Sequence, residues 1–149
     1  MMVTSIQIAH SKPIRLSPYM LDANRPISLR SETLFQSGTS WDGTVCNSYP
    51  DGMPELSLLK ITVPPNTELP WHDHPMPCAA YVLEGEITIE KPTGEKKMFG
   101  KGQGFLEVVE TVHRGVTGAM PVELIVFYAG AKDMALVRAR TIEPDAVSS

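Results

Sequence analysis

His72 and His74 stand two residues apart in the stretch Trp71-His72-Asp73-His74-Pro75-Met76-Pro77-Cys78. On a strand that spacing puts both imidazoles on one face. A third histidine, His113, precedes another strand-like run. Imidazole binds Fe, Mn, Ni, Cu and Zn well. Three imidazoles on rigid strands would fix one side of a divalent ion and leave its other positions open to water, O₂ or a chelating ligand. The plainer alternative is a histidine pair that caps a barrel mouth.

Two further groups bear on that chemistry. Cys78 follows His74 closely; a thiolate can ligate a metal, but a neutral buried cysteine is among the commonest core residues, and core packing is favoured. Glu107 shares strand parity with Phe105. A carboxylate buried without a partner costs several kcal/mol, so an inward Glu107 needs a metal ion or a ligating histidine beside it. Near such an ion but unligated, it is a candidate catalytic group, a general base with a tunable pKa. The alternative is that the alternation slips at Val108-Val109 and Glu107 faces water.

These residues need strands to hold them. Thirteen prolines and eleven glycines among 149 residues exceed the usual combined share of about 12%, which favours many short strands and turns. Strand signals run through Thr33 to Gln36, Thr44 to Asn47, Leu56 to Val63, the His72/His74 segment, Tyr81 to Leu83, Ile87 to Glu90, Phe105 to Val109, Val112 to Val116 and Val122 to Tyr128. In Leu56 to Val63 the apolar parity changes, which predicts a bulge or two-sided burial. Gly85 suits a turn or kink. Met134 to Arg138 reads as one more strand or a short helix. Strands at this spacing with turns between them predict an all-β sandwich or barrel. The division expected is an irregular N-terminal arm over 1–30, a barrel over 31–140 and a tail over 141–149.

The motif spacing resembles that of the cupin superfamily. His72-x-His74-x3-Cys78-x6-Gly85 fits the first cupin motif, with Asn66 where the motif begins with glycine and Cys78 at the usual carboxylate position. Gly102 to His113 has the length of the second motif, with Gln103, Val108 and Glu110 in place of its Asp, Pro and Gly. The resemblance runs from about Leu56 to Tyr128 and is similar in particular to small bacterial single-domain cupins. It implies a jelly-roll β-barrel, one divalent transition metal (Fe, Mn, Ni or Zn) on His72, His74 and His113, and Glu107 on the face that looks into the barrel. It further implies dioxygenase, isomerase or lyase chemistry on a small oxygen-rich molecule, and a homodimer. A non-catalytic pocket for a sugar or small acid, or a decayed site with a structural role, is the alternative; fold does not set the reaction.

Composition limits the partners. Net charge is −4 and the pI about 5.5, so no nucleic-acid footprint is expected. No apolar run reaches the length of a membrane span, and the N-terminal stretch lacks a signal-peptide pattern. Two cysteines, Cys46 and Cys78, make no disulfide framework, so a cytoplasmic setting is expected; a barrel interior of this size suits a small-molecule ligand. Asp73 is expected to face solvent opposite the histidines. Trp71 and Tyr81 can line a pocket mouth or pack, and Arg114 can reach a carboxylate ligand or form a surface ion pair. His10 has no assigned role.

Overall fold

The computed structural model describes residues 30–143. The expected arm, with His10, and the last residues of the expected tail lie outside them. The described residues from Thr33 onward belong to one compact unit, and the site lies in it.

No helix occurs among the described residues. Nine strands follow in order: β1 (Pro54–Val63), β2 (His72–Asp73), β3 (Cys78–Glu84), β4 (Glu86–Glu90), β5 (Lys96–Gly100), β6 (Gly104–Leu106), β7 (Arg114–Val116), β8 (Val122–Ala131) and β9 (Arg138–Ala139). They form three antiparallel sheets, ordered β1-β8-β3-β6, β5-β4-β7 and β2-β9. The all-β expectation holds. Also, no helix among the described residues is long and apolar enough to cross a membrane.

The long pair β1/β8 is the backbone of the larger sheet. Its register runs unbroken from Pro54↔Ala131 to Val63↔Val122. Neither the bulge nor the two-sided burial expected for Leu56 to Val63 is seen. Leu59, Ile61 and Val63 point to the core, while Leu56 and Leu58 point outward and are exposed. The irregularity falls instead between Val82 and Glu84, where β3 shifts register against β8. Gly85 follows at φ 76°, and a Cβ there would lie 2.1 Å from the Pro121 carbonyl oxygen. Only glycine fits, because both the space and the left-handed backbone exclude a side chain.

Thr33 to Gln36 and Thr44 to Asn47 are not strands. Thr39 and Val45 make only one isolated bridge. Between them Asp42 accepts hydrogen bonds from the Thr44 amide and hydroxyl, at 3.0 and 2.7 Å. That local bonding competes with extended pairing. β5, which Lys96 and Lys97 disguise as polar loop, is a strand whose Phe99 stacks on Phe105 at 4.0 Å between centroids. The Met134 to Arg138 stretch supplies only the start of the two-residue β9.

The core lies between the larger sheet and β4. Val63, Val82, Ile87, Ile89, Val122 and Leu124 contribute to it. These β-branched and aliphatic side chains suit a pleated inner face, and each full burial contributes about 1.5–3 kcal/mol.

Candidate metal centre

β2 is short, but its backbone sets the site. His72 and His113 form an antiparallel bridge, with amide-to-carbonyl distances of 3.0 and 2.9 Å in the two directions. Residues paired in this way project side chains to the same face. His74, two positions on, shares that face, and its carbonyl accepts the Glu110 amide at 2.8 Å. The result is three imidazoles with ring centroids 4.6–5.0 Å apart. Their potential ligand atoms lie within 4.8 Å of one another, an arrangement that could hold a metal ion.

Each ring is oriented by a backbone carbonyl. Nδ1 of His72, His74 and His113 donates to the oxygen of Pro70, Leu136 and Thr111, each at 2.8 Å. A carbonyl can only accept, so Nδ1 carries the hydrogen and Nε2 keeps its lone pair. Burial lowers the pKa of all three, that of His74 to about 4. The mutual repulsion of the rings adds to this for His72 and His74. At neutral pH the three are neutral donors, the form that binds metal.

Glu107 lies beside this group. The strand β6 stops at Leu106, yet the Glu107 amide still donates to the Cys78 carbonyl at 2.8 Å, and the side chain stays buried. Its Oε2 is 3.4 Å from His113 Nε2. Both atoms are buried without a hydrogen-bond partner. Two bare acceptors at that separation repel unless a cation, a proton or a metal ion, lies with them. Burial pushes the Glu107 carboxyl up to about 7, and His72, the Trp41 indole and the Val108 amide pull the other way. The Trp41 Nε1 is itself buried and closes no hydrogen bond. Glu107 falls outside the three-histidine group that converges on one point.

Cys78 is a core residue. It is fully buried, donates to the Met76 carbonyl at 3.3 Å and has its thiol pKa raised, first by burial and then by Glu107. It is not among the converging donors.

Asp73 does lie opposite the histidines, but it is not solvated. It is buried, and its two oxygens accept from Arg138 Nε at 2.6 Å and Arg140 Nε at 2.7 Å. Sequence reasoning missed these arginines as its partners. Arg114 is committed to Glu90 at 2.6 Å and Glu68 at 2.8 Å, and its guanidinium covers the Trp71 ring at 4.4 Å. Trp71 lines the cavity, whereas Tyr81 does not. Tyr128 does, and its ring meets His74 edge-on at 5.6 Å. The alternation Val122, Leu124, Val126, Tyr128 held that signal. The cavity that the three histidines, Glu107, Trp71 and Tyr128 border has a volume of about 350 Å³.

Residues 59–128 match the family model described as cupin domain. The solved structure of the polyketide cyclase RemF from Streptomyces resistomycificus is 25% identical, with a TM-score of 0.51 over 63% of this chain and 66% of that one. A structure of the DMSP lyases RdDddP and RnDddQII is 20% identical, with a TM-score of 0.52 over 58% of this chain and 44% of that one. An RmlC-like cupin from Shewanella frigidimarina NCIMB 400 is 26% identical, with a TM-score of 0.46 over 53% of this chain and 69% of that one. This chain thus spans just under two thirds of the cyclase and under half of the lyase structure. No curated protein matches it. Residues 59–128 thus form a small cupin domain, and the all-β architecture is a cupin fold.

Proposed function

We propose that this cupin is a metal-dependent enzyme in which His72, His74 and His113 hold one divalent transition metal and Glu107 moves a proton on the bound ligand. The observation that carries this reading is the pair of unpartnered buried atoms, His113 Nε2 and Glu107 Oε2, at 3.4 Å. Natural interiors rarely leave such atoms unpaired, and those left so are candidates for an ion or for chemistry. The donor set fits an Fe, Mn, Ni or Zn ion: three neutral imidazoles, each fixed by an acceptor behind it.

When bound, the metal would supply Lewis acidity toward a ligand oxygen. The chain does the rest. The three rings would hold the ion. The apolar walls exclude water. Glu107, beside His113, is positioned to take a proton from the ligand and return it. This favours isomerase or lyase chemistry over dioxygenation. Its likeness to a polyketide cyclase supports a catalytic role for the site.

The test begins with metal content. Protein purified without chelator is expected to hold about one metal per chain, or to reach that when offered Fe, Mn, Ni or Zn. Failure with all four refutes the reading. A Glu107→Gln variant should retain metal but lose solvent-proton exchange into a bound ligand; oxygen consumption on turnover would instead favour dioxygenation. We also propose a homodimer, supported by the exposed Leu56, Leu58 and Phe127 on the outer face of the larger sheet. A monomeric mass in solution would remove it.

A further inference from the structure

The cavity divides sharply by chemistry. Apart from the Trp71 indole at its border, its polar side chains are the three histidines, Glu107 and Tyr128, grouped together by the contacts described above. Ile61, Val63, Ile87, Ile89, Leu124 and Val126 make up much of the remaining wall. Among the described residues, no Lys, Arg, Asn, Gln, Ser or Thr lines it. The two arginines nearest in sequence to the histidines' partners are spent elsewhere: Arg114 on Glu90 and Glu68, Arg138 on Asp73. The cavity is bordered by Trp71 and by Val137, which is half exposed.

We propose that the ligand of this site is a compact apolar molecule, aromatic or branched, with a short chelating oxygen head at only one end. This rests on the metal reading for the head and on the cavity wall for the body. A polyol body is excluded by hydrogen bonding. Each hydroxyl placed against the aliphatic wall would lose water without gaining a partner. A second charged group is disfavoured because no fixed cation among the described residues of the wall would meet it. The expectation of an oxygen-rich ligand is thereby narrowed to one oxygen-bearing end. The volume, at the lower end of ligand pockets, holds a molecule of one or two rings.

The experiment keeps the head constant and changes the body. Metal-loaded protein is titrated calorimetrically with mandelate, lactate and gluconate, which share a 2-hydroxycarboxylate. Mandelate is expected to bind about tenfold or more tighter than lactate, since filling an apolar pocket discriminates on that scale. Gluconate is expected to bind no tighter than lactate. Val126→Thr, which places a hydroxyl in the wall, is expected to shrink the mandelate-to-lactate ratio. Metal per chain is measured on the same samples. Metal-free protein is titrated in parallel with benzyl alcohol and glycerol, which need no chelation, and should prefer benzyl alcohol. Protein that takes up no metal yet keeps this preference refutes the metal reading while supporting the apolar body. Gluconate binding as tightly as mandelate, equal affinity for all three acids, or no binding of mandelate to loaded protein overturns the proposal.

Discussion

Asp73 Oδ1 accepts from Arg138 Nε at 2.6 Å, and this pair ties the C-terminal strap to the strand that carries His72. Arg140 bonds the other oxygen at 2.7 Å. The strap also supplies the Leu136 carbonyl that orients His74. Asp73→Asn is expected to loosen the strap and so weaken metal affinity by about tenfold, since groups behind a metal ligand typically contribute 10–100-fold. Competition against a chelating dye measures it. Affinity equal to the parent's would show that β2–β9 backbone pairing alone holds the strap.

Of the three histidines that could hold the ion, His113 comes from a different part of the chain from the other two. His113→Ala should cut metal occupancy from about one per chain to well below it, with the β-sheet circular dichroism retained. Full occupancy in that variant would mean that His72 and His74 find their third partner elsewhere.

Metal-free protein should show opposing pH effects. The folded-state pKa of each histidine lies below its ordinary 6.5, to about 4 for His74, so the unfolded chain binds more protons and stability falls as pH drops through that window. Glu107 has the opposite sign. Its folded value, about 7, exceeds the ordinary 4.5, so its contribution is present below 4.5 and is lost as pH rises through 7. Glu107→Gln keeps a neutral side chain at every pH. Its stability relative to the parent should therefore rise between pH 4.5 and 8, by roughly 1–3 kcal/mol. Urea unfolding across that range gives the difference, and a flat difference would place the carboxylate in water.

Three backbone positions make a graded prediction. Asn66 and Glu110, which stand where the cupin motifs carry glycine, have φ of 51° and 52°. Asparagine tolerates that region, and glutamate does so poorly. Glu110→Gly should raise stability by about 1 kcal/mol, and Asn66→Gly should change it less. Gly85→Ala should lower it by about 2–4 kcal/mol, because the new Cβ meets the Pro121 carbonyl. Thermal or urea unfolding of the three variants orders them.

What could be read from the chain was mostly what strand parity carries. The period of two put His72 with His74 and turned Glu107 toward the same interior as Phe105. It also put Asp73 on the far face, and there the reading failed. Burial of Asp73 depends on Arg138 and Arg140, which lie 65 and 67 residues away, at and just past the end of a stretch that reads equally as a strand or a short helix. β5 escaped notice because only Phe99 among its five residues is buried. Thr44 to Asn47 misled for the reverse reason: the residues favour strands, but the Asp42 side chain had already taken the Thr44 amide. Long-range ion pairs and short side-chain turns leave no periodic trace, so neither was legible.

The acceptors behind the three histidines are the carbonyls of Pro70, Thr111 and Leu136. No side-chain substitution deletes a carbonyl. The tautomer of each ring is therefore inherited through the path of the chain, not through the identity of any residue. Drift at those three positions can proceed silently so long as the loops keep their course, and insertions or deletions near them are what would disarm the site.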